Sequence, residues 1–471
     1  MKKLFFFFFA LLVANSAMAD AVKIGDLYYN LNTSKQTAEV TYPNTGYGSD
    51  YRLKSVVIPE TIAYKGVDYS VTSIRGNAFA GSTDLTILII PNSVTTIGDL
   101  AFYYCTSLTS ATISNNLTTI GEHAFWYCSK LKSVIIPSSV TSMKDNAFEK
   151  CSSLTSVVWN AKNCKDFSSA PFVTSSITSF TFGDGVEYIP DYLCGGMKFN
   201  SIIIPNSVTS IGNSVFEGCT KLTSITIPNS VTQIKSDVFT GCESLTSVDL
   251  PNSITTIGCH FFQDCSSLTS ITLPNSITSI QQHAFRGCSS LSSITIPENV
   301  VSIGKEAFYN CTSLEMINYN AISLNDLEVD NYTLAYVGKN TAGTIVNIGA
   351  NVTRIPAYLF NVHHYYTDSV PYITSVNFAE NSVCESIGES AFRNAIYLTN
   401  INLPEHIELI GDYSFYGCNK LTEISGMNNV TYIGDYSFYG CSNLLSISIE
   451  TIKEIKEYTF ANCNSLKNIN T

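Results

Sequence analysis

Cysteine and histidine carry the most specific chemistry this chain could offer, provided their spacing allows it. The chain has 15 cysteines in 471 residues, and Cys219, Cys242, Cys265, Cys288 and Cys311 return at a constant interval of 23. In an exported protein such a count suggests disulfides, and equivalent cysteines on neighbouring parallel strands would have Cα atoms about 5 Å apart, within bonding range. Two features oppose bridging. Equivalent side chains project in parallel, and Ser82 and Ala395 take the same place in other repeats. The expectation is a buried column of free thiols that pack as small hydrophobes. Cys164, Cys194, Cys259 and Cys384 fall off that column.

His123, His260 and His283 share one repeat position, two residues before a Phe. His260 and His283 lie one repeat apart and could meet at a metal, but no carboxylate or cysteine stands at conventional ligand spacing. The position therefore reads as a variable surface site, and neither a metal nor another cofactor is expected. H-E-x-x-H, G-x-S-x-G and P-loop motifs are absent, and Gly46-Tyr47-Gly48 lacks the third glycine of a dinucleotide turn. Repeated units supply surface rather than converging acid and base groups, so the chain is not expected to be an enzyme.

The repeat itself positions these residues. From Phe199 to Leu314 one sentence recurs, as in LTSITIPNSVTQIKSDVFTGCES from Leu222, with anchors at Leu245, Leu268, Leu291 and Leu314 and with Phe216, Phe239, Phe262, Phe285 and Phe308 in step. A period of 20–29 residues with aliphatic anchors spaced L-x-x-I-x-I marks a leucine-rich-repeat solenoid. Ile225 and Ile227 alternate with Ser224 and Thr226, as in a strand with one buried face. Pro228 ends the ladder because it has no N–H to donate. Val231 and Ile234 return to the core along an extended path, and Ser236 to Phe239 read as a short helical turn. Units begin at Leu53, where Ala63 to Tyr69 form an insertion, and continue to a half-unit at Leu466, about 17 coils in residues 53–471 with irregular pattern over 315–372. Such an array extends roughly 80 Å.

Exposed aromatics at recurrent positions are the candidate anchors for a partner. Tyr103, Trp126, Tyr309, Tyr416 and Tyr439 each follow the Phe of a unit, and Tyr and Trp give large contact area at small entropic cost. The same rings could instead pad neighbouring turns. Between Tyr319 and Tyr372 the pattern degrades and Tyr332, Tyr336, His363, His364, Tyr365 and Tyr366 accumulate. An insertion on a rigid array falls on one face and often carries recognition. Outward strand positions are hydroxyl-rich mid-array (Ser224, Thr226, Ser270, Thr272) and apolar toward the N-terminus (Ile87, Ile89, Ile135, Val158).

The ends are read separately. Lys2 and Lys3, the apolar run Leu4 to Ala14 and Ala17-Met18-Ala19 form a signal peptide, residues 1–19, with cleavage between Ala19 and Asp20. Residues 20–52 alternate in polarity around Thr33-Ser34-Lys35-Gln36, a β-hairpin cap over the open first coil. Past Leu466 the sequence stops mid-coil, which predicts self-association through an uncapped edge. Net charge of −12 with only 14% charged residues gives no basis for nucleic-acid binding or anionic-membrane attachment. Once the signal is removed, no membrane insertion is expected.

The unit L-x-x-I-x-I-P-x-x-V-x-x-I-G-x-x-A-F-x-x-C, present from Leu108 to Cys128 and Leu291 to Cys311, resembles the BspA-like, Treponema-type leucine-rich repeat of bacterial surface proteins. The signal peptide and VVIPETIAYKGVDYSVTSIRGNAF resemble Bacteroidetes members. The resemblance implies an α/β repeat solenoid, a right-handed array with a parallel β-sheet on its concave face. It also implies a non-catalytic, exported protein, secreted or on the cell surface, that adheres to host matrix or other macromolecules, an extracellular protein or a glycan. A structural spacer of the bacterial envelope is the alternative. No sorting domain, wall-anchor motif or R-G-D tripeptide occurs, since Arg75-Gly76 is followed by Asn77.

Overall fold

The computed structural model describes residues 21–43, 51–172, 176–361 and 370–470. The expected signal peptide with its Ala19–Asp20 cleavage site, and His363, His364, Tyr365 and Tyr366, lie outside the described residues.

The molecule is a parallel β-solenoid of about 17 turns. The L-x-x-I-x-I stretch of most coils forms a longer ladder: Ser133–Ile136, Ser156–Trp159 and Ser179–Phe182 pair in parallel with Ser133 opposite Ser156 and Ser156 opposite Ser179. The return segment, expected to be merely extended, forms a second ladder of two-residue strands such as Thr96–Ile97, Thr119–Ile120 and Ser142–Met143. Two ladders per coil satisfy more of the buried backbone than one would. Threonine hydroxyls reinforce both, as where Thr109 and Thr118 donate to the carbonyls of Thr86 and Thr95 at 3.0 Å.

The outer turns differ from the short helix expected of them. Each Phe N–H donates to the next coil instead of back along its own chain, Phe102 to the Ala124 carbonyl at 2.7 Å and Phe125 to that of Ala147 at 2.8 Å. The residues two before and two after the Phe are left-handed, for example His123 (φ 53°) and Tyr127 (φ 58°). Left-handed residues on both sides of the Phe interrupt any helical run. Among the described residues the single helical element is the 3-10 turn Met427–Asn429.

At the N-terminus, β1 (Val22–Ile24), β2 (Leu27–Asn32) and β3 (Thr37–Thr41) form an antiparallel meander. Strand β4 (Ser55–Val57) starts the long ladder. The insertion after it is the hairpin of β5 (Thr61–Tyr64) and β6 (Val67–Ile74), whose two-residue turn Lys65-Gly66 has φ of 50° and 78°. Positive φ at both positions is the turn that suits strand twist. Strand β6 then pairs in parallel with β3 and joins the cap to the short ladder. Tyr51 closes the core by stacking on Phe79 at 4.9 Å, while its hydroxyl donates to the Thr41 carbonyl at 2.7 Å and accepts from the Tyr28 N–H at 2.9 Å.

The core is a set of columns. Phe79, Phe102, Phe125 and Phe148 stack with centroids 4.9–5.2 Å apart, and Phe216 to Phe308 and Phe360 to Phe460 repeat the arrangement. Two other residues interrupt the column. Cys194 and Leu334 occupy the Phe place, identified by hydrogen bonds to and from adjacent coils (Cys194 N–H to Val215, Phe308 N–H to Thr333). Cys194 is thus a substituted phenylalanine, and Phe199 in the neighbouring leucine place restores the lost volume.

Cys164 and Cys384 stand in the Val place of the short-ladder approach, as the Lys165-to-Thr141 and Glu385-to-Thr353 backbone bonds show. The thiols are free. In the main column they do more than fill space: 11 of them, including Cys128, Cys242 and Cys441, lie 3.1–3.3 Å from the carbonyl of the Phe-place residue one coil back and donate S–H to it. Burial pushes the thiols of Cys151, Cys219 and Cys418 up to about 12.

Candidate recognition surface

Two surfaces present side chains in rows: the outward face of the long ladder and the outer turns. On the turns, the sequence rows resolve into patches. Tyr103 and Trp126 stack at 4.8 Å with planes 5° apart, and beside them Tyr104 and Tyr127 stack at 4.7 Å. Lys150 lies over Trp126 at 4.6 Å, and the indole N–H donates to Glu149 at 3.2 Å.

A second patch joins Tyr416 and Tyr439, 4.8 Å apart, to Tyr413, Tyr436 and Tyr458, with Arg393 over both Tyr413 and Tyr416. Tyr309 belongs to neither. It meets Tyr336 edge-on at 5.4 Å and carries Arg286 over its ring at 4.8 Å. Sequence reasoning missed Tyr104, Tyr127, Tyr413, Tyr436 and Tyr458. Their signal was the place itself, since the left-handed positions flanking the Phe orient a side chain outward and favour Gly or Asn, yet hold Tyr here.

The stretch expected to be irregular keeps the coil pattern as far as it is described. Tyr319 is a core residue at the end of strand Met316–Tyr319, equivalent to Trp159, and is buried. Tyr332 (φ 51°) and Tyr336 (φ 62°) flank Leu334 in the two left-handed places, and Tyr358 (φ 61°) repeats the first of them. Their recurrence was hidden because the coil from Leu314 carries extra residues before Thr344.

His260 and His283 do meet, with His283 Nδ1 and His260 Nε2 2.8 Å apart. Asp237 lies 3.2 Å from His260 and Glu306 3.3 Å from His283, giving a row that Arg286 extends at 2.5 Å from Glu306. Burial holds His283 below the usual histidine range, with His260 and Arg286 acting the same way and Glu306 opposing. Among the described residues no group of three or more His, Cys, Asp or Glu is arranged to hold a metal ion.

The long-ladder face changes along its length. Toward the N-terminus it exposes Val57, Ile87, Ile89, Ile135 and Ile203, the last 85% accessible. At Ile203 the ladder is interrupted, for no strand forms between Ser179–Phe182 and Ser224–Thr226 in the long ladder, while the short ladder continues through Tyr188, Ser210 and Gln233. Ile177 and Phe199 are 22 residues apart instead of 23, with the residue missing between Met197 and Phe199. A depression of about 720 Å³ opens there against Phe180, Phe182 and Ile202 to Ile204. On the short-ladder side Lys235, 3.0 Å from Asp191 and 3.1 Å from the Tyr188 hydroxyl, knots the coils together across the gap. Toward the C-terminus the same column holds Asn318, Asn347, Asn377 and Asn402.

These features define a leucine-rich-repeat protein whose surface is built by stacking. The BspA type leucine rich repeat region matches residues 72–194, 187–315, 232–367 and 363–471, and the chain belongs to that family. A leucine-rich repeat protein from Bacteroides ovatus ATCC 8483 is similar at 26% identity over 95% of this chain and 98% of that one, with a TM-score of 0.59. A leucine rich cell surface protein from Faecalibacterium prausnitzii A2-165 is 22% identical over 96% of this chain and 94% of its own, with a TM-score of 0.28. No curated protein matches. Among the described residues no helix is long and apolar enough to cross a membrane.

Proposed function

We propose that this chain is an exported, non-catalytic adhesion protein that holds an extracellular protein partner through its aromatic patches. The observation that carries the reading is the pairing of stacked rings with cations: Tyr103, Trp126 and Lys150 at one end, Tyr413, Tyr416 and Arg393 at the other. Aromatic and arginine side chains held rigid on a surface are the groups that dominate interface energies. Stacking fixes their rotamers before a partner arrives, which lowers the entropic cost of binding. Outer-turn rings that served only as padding would not need Tyr104 and Tyr458 to be 41% and 52% exposed.

Capture of purified matrix proteins by the immobilised chain tests the reading. The W126A and Y416A/Y439A variants should each lose at least about tenfold in affinity, the equivalent of roughly 1.4 kcal/mol. Affinity unchanged in both would favour the envelope spacer, in which the surfaces carry no concentrated binding energy.

A further inference from the structure

On the long-ladder face, four consecutive coils place Thr295, Asn318, Asn347 and Asn377 in register. Their side chains are tied into one chain of hydrogen bonds. The Asn318 amide donates to the Thr295 hydroxyl at 3.2 Å, Asn347 donates to the Asn318 carbonyl at 3.0 Å, and Asn377 donates to that of Asn347 at 3.2 Å. The Ser375 hydroxyl closes the row by donating to Asn377 at 3.0 Å.

A primary amide has two N–H donors and two acceptor lone pairs. The row consumes one donor and one acceptor of each Asn, which leaves one of each on three amides. The row borders a depression of about 400 Å³ that also includes Asn320, Gly349 and the half-buried ring of Phe378. Gly349 lies at its edge against the Asn320 side-chain oxygen, which a Cβ there would displace. None of the lining residues is charged.

We propose that this depression is a binding site for a neutral glycan, a function separate from the aromatic patches. The chemistry matches in three respects. Adjacent hydroxyls of a pyranose can donate to an amide carbonyl and accept from its N–H at the same time, so each remaining donor–acceptor pair suits a vicinal diol. The amides recur at the strand spacing of about 4.8 Å, close to the rise of one sugar unit along an extended chain, so successive residues of a linear oligosaccharide meet successive coils. Phe378 supplies an apolar wall for the C–H face of one ring, the usual complement to a few fixed polar groups in a ligand site. An acidic sugar would lose its hydration without gaining a cation from the lining, and is selected against. The hydrogen-bonded row fixes the amide rotamers in advance, so binding orders solvent-exposed side chains very little.

Titration calorimetry with neutral hexose tetrasaccharides and with uronic-acid and sulfated counterparts tests the proposal. The expected result is saturable binding of at least one neutral compound, weakened about tenfold or more in N347A/N377A and in F378A, unchanged in T226A on the regular part of the same face, and absent for the acidic series. The conservative N377S variant, with an unchanged thermal unfolding midpoint, serves if the double variant fails to fold, and should weaken binding about threefold or more. The proposal is overturned if no neutral oligosaccharide binds at millimolar concentration, if acidic ones bind equally well, or if the folded Asn variants bind like the parent. W126A retains sugar binding under this proposal, and loses protein capture under the adhesion reading, so either can fail alone.

Discussion

The two halves of the long-ladder face are built on the same backbone and offer opposite chemistry. Up to Ile203 the outward column is β-branched and mostly apolar, with Val57 61% and Ile135 58% exposed and Thr112 and Thr181 the hydroxyl members. Beyond Thr295 it is a row of amides linked side chain to side chain. The inward residues hardly change, since Leu88, Val134, Ile294, Val346 and Ile401 are all buried at equivalent places. A solenoid separates the two requirements because alternate strand residues face opposite ways. The inner set must satisfy neighbouring coils, whereas the outer set touches only its own column and can drift without cost to the fold.

The halves should therefore be energetically alike and functionally different. The largest effect expected of a single substitution tests the first part: F125A in one half and F415A in the other should each destabilise by about 3–5 kcal/mol, as for other buried phenylalanines. Urea denaturation measures this, and a cost confined to one half would show that the stacks are not equivalent.

Next comes the thiol column, which spans both halves. Buried Cys151, Cys219 and Cys418 keep their protons up to about 12, against 9.0 for an unperturbed thiol. Above pH 9 the unfolded chain releases protons that the folded chain holds, so stability should be full below that pH and fall as pH rises toward 12. The loss should be about 1 kcal/mol per pH unit for each such thiol, visible as a falling urea midpoint. A flat profile would mean that the column is accessible to base.

Smaller effects separate the faces. The I135S and I203S variants should cost about tenfold in affinity for any protein partner that uses the apolar half, roughly 1.4 kcal/mol, and should leave oligosaccharide binding intact. Surface plasmon resonance against the captured partner checks this, and equal losses for both ligands would merge the halves into one site.

The smallest effect lies between them, at His283. Its folded-state pKa is depressed below 6.5, so it favours folding fully above that pH and loses this contribution as pH falls through the folded value. The H283N variant should flatten the mild acid-side decline in the unfolding midpoint as pH falls below 6.5.

Sequence alone determined the architecture, because a period of 23 admits one way to align buried residues and each anchor repeats often enough to be unmistakable. It also showed which strand residues face out, and the column of free thiols it led one to expect is what the structure holds. Tertiary structure was needed wherever function depends on what lies one coil away. Tyr413 stacks on Tyr436, Asn318 bonds to Asn347, and Cys242 donates to the carbonyl of Phe216, pairs separated by 23 to 29 residues in the chain. The regular identity of Tyr332 and Tyr336 was concealed by an altered coil length, whereas Cys194 stands 17 residues after Ile177, the regular Phe offset, and looked unplaced only because a cysteine replaces the ring. Spacing along the chain fixes how far each residue lies from its anchors, but an insertion or deletion shifts that count, and only the inter-coil hydrogen bonds restore the alignment that decides which side chains touch.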